Sequence, residues 1–389
     1  MALFSNEGEM QRWLSKQLAD DTAVCELIAN YELFKEEQLP KYTPLVIKKV
    51  RESFLYCLAS FENNTLISEN SDISLNPKDK LKPDFLLYAP ETESIVVIEL
   101  KNQKGATREA GTEIGAYAAE IKTYLPYISD GEVVSVIVAT EWPALLRHFV
   151  FNEVFWMQRN LICLEPVNTD EGVRLQIVDP AIFAESDINT KINARQLGGY
   201  QLCLYDDELY KGGDYYRTAA YENQMRAALN AMVAKGNALK THGFAFLWRH
   251  CFHIGLAPYN ITIINIAPFQ SLPKPIKGSD LNLTNISNKL LNIRQEYAPE
   301  GHGQALESIR EYGSQFLTTF CDPKPEGFMQ WRDLQPNIFY QTDAIAFVGW
   351  DIFGELFFDR LAQEYREDNF EWAQDSPLLA NRMIEELMY

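Results

Sequence analysis

Apolar and polar positions separate most clearly at residues 82–101. There Phe85 to Tyr88 and Ile95 to Leu100 are short β-branched or aromatic runs, and Ala89 to Ser94 between them supplies proline and polar residues. Two such runs around a turn predict an antiparallel hairpin. Helical spacing follows: Ile114, Tyr117, Ile121 and Tyr124 recur within Thr107 to Leu125, and Pro126 ends the segment. Val133 to Ala139 reads as a buried strand, with further short strands at Asn160 to Cys163 and Arg174 to Val178, and an amphipathic helix begins within Asn6 to Leu14. Strand, helix and strand in alternation predict an α/β core.

Residues 166–200 carry the turn residues and weak periodicity of a boundary. They place one domain at 1–180, a linker at 181–199 and a second domain at 200–389, divided near Gly199. In the second domain Tyr221 to His242 has a helical pattern that Phe244 to Phe252 continues, and Asn260 to Ile266 alternates as a strand. Further helices are expected at Asn285 to Tyr297, Gln304 to Phe320 and Gly349 to Arg366, with Pro273 to Lys277 as a connecting loop. The expectation is a mostly helical α+β domain for oligomerisation, partner binding or target sensing. It shows no P-loop, Rossmann glycine fingerprint, zinc-ribbon spacing or internal repeat.

The hairpin holds the best chemical clue. If it is symmetric about the bond between Glu91 and Thr92, residue 88 pairs with 95 and the ladder sets Asp84 opposite Glu99. Directly opposed Cβ atoms lie about 4.5–5.5 Å apart. Side chains alternate with period two, so Glu99 and Lys101 share a face with Val97 while Ile98 and Leu100 point away. Two carboxylates that close repel, and a run as apolar as Ile95 to Leu100 looks buried on both faces, where an unpaired charge is costly. Lys101 supplies one positive charge. Two hard oxygen ligands with space for water and phosphate are also what Mg2+ or Mn2+ prefers. Such a site suits phosphodiester hydrolysis, with the metal activating water and Lys101 positioning it or screening developing charge. The plainer alternative is a Glu99–Lys101 salt bridge on a solvated face, with Asp84 a turn residue after Pro83.

Pro83-Asp84, a hydrophobic strand, a turn, and Glu99-Leu100-Lys101 at the end of a second strand resemble the PD-(D/E)xK nuclease superfamily, the restriction-endonuclease-like fold. The resemblance spans roughly residues 1–180, and its specific part is 82–125. It implies a mixed-sheet core with flanking helices and a metal held by Asp84, Glu99 and the Leu100 backbone carbonyl, with Lys101 assisting the nucleophilic water. One branch of the superfamily carries a glutamine followed four residues later by a tyrosine on the next helix. Tyr117 fits, but the glutamine position is Glu113, either a third acidic group at the site or a helix-surface residue. First helices in the superfamily often add a glutamate to the metal site; Glu9 is the candidate here, with Glu7 as the fallback, and both equally suit a helix N-terminus. A nuclease domain joined to an unfamiliar second domain also resembles the effectors of bacterial anti-phage defence.

A formal charge of −19 is awkward for DNA binding, which depends on neutralising phosphates. Its distribution partly answers the objection: Lys78, Lys80, Lys82, Lys104 and Arg108 flank the site as candidate DNA contacts. Lys48, Lys49 and Arg51 form another basic cluster, more in keeping with a solvated face. The segment 351–389, with ten acidic and three basic residues, is unsuited to lie on DNA. Tyr200, Tyr205, Tyr210, Tyr215 and Tyr216 either stack on bases or, in better keeping with such residues, pack an interface. The six cysteines are scattered without a Cys-x-x-Cys pair and read as reduced core thiols. His250 and His253 would share a helix face but lack the second pair a zinc site needs.

Nothing in the sequence suggests a membrane span or a signal peptide, so a cytoplasmic protein is expected. The expected partners are DNA and either a second copy of the chain or another protein. Two other classes stay open: a catalytically silent interaction module, and a subunit active only within a partner complex.

Overall fold

A strand apolar on both faces needs neighbours on either side and cover above and below, and Ser94–Lys101 receives both. The computed structural model describes the chain except residues 1–2, 20–22, 41–42, 77, 103–106, 185–191, 213–216, 252–254, 268–288, 291–302, 341, 368–369 and 389, and excepting the side chains of 107–109 and 210. It divides into two units, Met1–Ile188 and Asn189–Tyr389.

In the first unit, helices α1 (Glu7–Ala19), α2 (Tyr31–Glu36) and α3 (Leu45–Leu58) precede a six-stranded sheet. The strands β1 (Thr65–Glu69), β2 (Phe85–Ala89), β3 (Ser94–Lys101), β4 (Val133–Ala139), β5 (Leu161–Thr169) and β6 (Gly172–Ile177) lie in the sheet in chain order. The β1–β2, β2–β3 and β5–β6 pairs are antiparallel, whereas β3–β4 and β4–β5 are parallel. Parallel neighbours need a long crossover. Helices α4 (Thr107–Tyr124) and α5 (Ala144–Phe151) supply the two crossovers. Strand β4 is buried along its whole length. The expected α/β core and its mixed sheet are therefore present.

The basic cluster at 48–51 is not a uniformly solvated face. Lys49 and Arg51 are buried within α3. Arg51 donates to the Phe34 carbonyl at 2.7 Å and to the Glu37 carbonyl, and its guanidinium lies 4.5 Å from the Phe34 ring centroid. It ties α3 to α2.

The second unit is α+β as expected, with more strand than the one read at Asn260 to Ile266. Its centre is a five-stranded antiparallel sheet of β7 (Leu197–Tyr205), β8 (Gly243–His250), β9 (Tyr259–Ile266), β10 (Asp322–Gln330) and β11 (Thr342–Trp350), in the order β10-β7-β9-β8-β11. Helices α6 (Glu222–Ala238), α7 (Gln304–Ser314), α8 (Trp331–Phe339), α9 (Ile352–Arg366) and α10 (Pro377–Leu387) accompany it. Leu202, Leu247 and Ile261 meet α6 through Met225 and Leu229 in one core, while Phe244, Phe246 and Trp248 join Trp331, Phe353 and Leu379 in another.

Two-sided burial explains the misread Phe244 to Phe252: successive side chains enter opposite cores, so the run is continuously apolar and its period of two disappears. His250 accordingly ends a strand, not a helix, and His253 lies outside the described residues. The helix at Asn285 to Tyr297, apart from residues 289–290, and the loop at Pro273 to Lys277 also lie outside them.

The boundary between units falls within the expected linker, but 197–199 belong to β7. Gly198 and Gly199 look like turn residues, yet a Cβ on Gly199 would sit 1.8 Å from the Ile263 carbonyl oxygen on β9. Glycine is there for close backbone approach.

The tyrosine group also divides. Tyr200 is buried against Phe328, Tyr205 donates to Glu326 at 2.7 Å, and Tyr215 and Tyr216 lie outside the described residues. All six cysteines are free, with Cys57, Cys163 and Cys203 buried and Cys251 exposed. No described helix is long and apolar enough to cross a membrane.

Candidate active site

The β2–β3 ladder pairs Tyr88 with Ile95 and runs to Phe85 opposite Ile98. One step further, Asp84 comes level with Glu99. Its carboxylate accepts the Leu100 amide at 2.8 Å. The Asp84 carbonyl accepts the Asn70 amide at 3.0 Å, and the Lys82 carbonyl accepts the Tyr117 hydroxyl at 3.0 Å. These bonds fix the backbone on both sides of Pro83.

Glu99 and Lys101 are both buried near the end of β3. Val97, on the same face of the strand, packs with Leu86, Tyr117 and Ile121, so α4 covers this face. Glu113 and Tyr117 are four residues apart and share one side of that helix. The Lys101 ammonium lies 2.6 Å from a Glu99 oxygen and 2.8 Å from a Glu113 oxygen. Glu113 is thus an acidic group at the site.

The other Glu99 oxygen, Oε2, is buried and has no hydrogen-bond partner, and so is Glu7 Oε1. Burial pushes the Asp84 carboxyl up to about 6; Glu7 and Glu113 add to the rise, against the Leu100 amide and Lys101. Burial and then Asp84 raise Glu99. Burial works against the Lys101 charge, but Glu99 and Glu113 outweigh it and hold the ammonium above its ordinary range. Burial, then Glu99, Glu113 and Asp84, likewise raise the Tyr117 hydroxyl. A single ammonium faces an excess of carboxylates.

Glu7, rather than Glu9, adjoins Asp84 electrostatically. Glu9 turns to Ser5, accepting its amide and its hydroxyl at 2.6 Å each, and these bonds lower its carboxyl. Residues two apart on a helix point about 200° from one another, so one of the pair had to turn away. The structure assigns Glu9 to the helix terminus.

Lys78, Lys80 and Lys82 are exposed on the segment leading to Asp84. Lys104 and the Arg108 side chain lie outside the described residues. The pinning of Asp84 by Asn70 had no signal in the sequence, since it depends on where β1 ends.

Among the described residues no group of three or more His, Cys, Asp or Glu side chains stands ready to hold a metal ion. The donor chemistry nevertheless fits a hard divalent cation. Mg2+ commonly takes one or two carboxylates and completes its shell with water and substrate phosphate. Asp84 and Glu99 can supply that pair, and the unpartnered Glu99 oxygen leaves a donor for it. Comparison with protein-family models, curated proteins and solved structures gives no match.

Proposed function

We propose that the Met1–Ile188 unit is a Mg2+- or Mn2+-dependent DNA endonuclease of PD-(D/E)xK type. The observation that carries this reading is the meeting of Asp84, Glu99 and Lys101 at the end of the hairpin, with one buried Glu99 oxygen unpartnered. The mixed sheet, antiparallel from β1 to β3 and parallel from β3 to β5, supports it.

In this proposal Asp84, Glu99 and the Leu100 carbonyl would hold the ion, which would supply Lewis-acid activation of the scissile phosphate and of water. The Lys101 ammonium would orient the attacking water and offset charge developing on the phosphate. The Leu100 amide keeps the Asp84 carboxylate turned toward Glu99, and Tyr117 anchors the strand entering the site through Lys82. Lys78, Lys80 and Lys82 gather the nucleic-acid backbone. The excess of acidic groups elsewhere makes DNA binding by an isolated protomer weak and strongly salt-dependent, and a second copy or a protein partner strengthens it by completing a basic channel. Anti-phage defence is the proposed setting, by analogy of domain arrangement.

One observation favours a second reading, a silent interaction module: Lys101 already spans Glu99 and Glu113. Titration with Mn2+ separates the two. The nuclease reading expects saturable binding that Asp84→Ala abolishes; a folded wild-type protein that binds no Mn2+ favours the silent module.

A further inference from the structure

Resting on the nuclease reading, we propose that Glu113 is the positioning residue for Lys101: it keeps the ammonium in the site when a divalent cation takes Glu99. The two carboxylates on Lys101 come from different elements. Glu99 lies two residues back on β3, whereas Glu113 reaches across from α4. They also differ in setting, the Glu99 side chain being 5% exposed and that of Glu113 33% exposed.

A divalent ion on Glu99 repels an ammonium that shares the same carboxylate. Lys101 then has to give up part of its hold on Glu99. Its side chain is only 5% exposed, so it has no ready route into water. Glu113 is the partner that remains. The helix face carrying it is fixed one turn further on, where Tyr117 donates to Lys82. Glutamine at 113 keeps a hydrogen-bond acceptor but removes the charge, and Lys101 then competes with the ion for Glu99.

The test is a double-substitution cycle read by Mn2+ affinity, without any assay of cleavage. Glu113→Gln is introduced into the wild type and into Lys101→Met, with Lys101→Gln as a second background that retains donor groups to both carboxylates. Circular dichroism and thermal melts select the folded backgrounds. Groups within one ion-pair network couple strongly enough that Glu113→Gln is expected to weaken Mn2+ binding about three- to tenfold in the wild type. The loss shrinks to less than about twofold once Lys101 is gone. An equal loss in both backgrounds overturns the proposal and makes Glu113 a direct ligand or a general charge, while the nuclease reading stands. Absence of Mn2+ binding by the wild type removes the underlying reading, and this inference with it.

Discussion

The Asp84 carboxylate accepts the backbone amide of Leu100 at 2.8 Å, so a side chain continues the β2–β3 hairpin where its backbone ladder ends. Pro83, next before it, has no N–H to offer a strand partner. The same bond aims Asp84 at the level of Glu99. Hairpin closure and site assembly are one structural event.

That coupling predicts a trade between stability and metal binding. Burial raises Asp84 from an ordinary value of 3.8 to about 6, so between those pH values the folded, metal-free protein holds a proton that the unfolded chain has released. Its stability therefore falls as pH rises through this window. Asp84→Asn keeps an oxygen for Leu100 and removes the charge. It is expected to flatten the slope and stabilise the metal-free protein at pH 7 by on the order of 1–3 kcal/mol. Denaturant melts between pH 4 and 8 check this; an unchanged slope with lower stability contradicts it.

Metal binding should run the other way. The ion requires the deprotonated carboxylate, so Mn2+ affinity is expected to drop as pH falls through about 6. A pH-independent affinity between 5 and 8 would rule out Asp84 as a ligand.

Much of this site was legible because its sequence broke a pattern. Ionisable groups in a two-sided apolar hairpin demanded partners, the turn length set the register, and Glu113 and Tyr117 were spaced for one helix face. The choice between Glu7 and Glu9 was not legible, because it depends on which side of α1 faces Asp84. In the second unit β8 and β9 are buried on both faces, and β8 hid as a continuation of helix. Strand β10 hid behind Pro323 and Pro325, which a strand at the sheet edge tolerates. The cluster at 48–51 looked basic in one dimension, but the turn of α3 sends Arg51 inward.

Gly199 gives a sharp packing test. Gly199→Ala places a methyl group against the Ile263 carbonyl and should cost about 3 kcal/mol or more, since backbone must move. A variant melting with wild-type stability would mean that β7 and β9 do not approach as described.

Arg51 separates structural from nucleic-acid roles. Removing it leaves the Phe34 and Glu37 carbonyls without their donor and takes a cation from the Phe34 ring. Arg51→Ala is expected to destabilise by about 2–4 kcal/mol and to leave the salt dependence of DNA binding unchanged. A lower salt slope with native stability would place Arg51 on DNA.

Lys78, Lys80 and Lys82 should show the opposite behaviour. Being exposed, they can change to glutamine with little effect on melting, within about 0.5 kcal/mol each. Each phosphate deprived of its lysine should reduce the slope of log affinity against log salt for duplex DNA by about 0.9. An unaltered slope in the triple variant would remove this segment from the DNA interface.

Cleavage of supercoiled plasmid and single-stranded DNA at low salt with Mg2+, Mn2+ or EDTA, by the wild type and by folded Asp84→Ala and Lys101→Ala proteins, tests the nuclease proposal itself. Metal-dependent cutting by the wild type is expected, with its loss in EDTA and in both variants. Cutting that survives both substitutions, or intact substrate with folded wild-type protein at every metal, would contradict it.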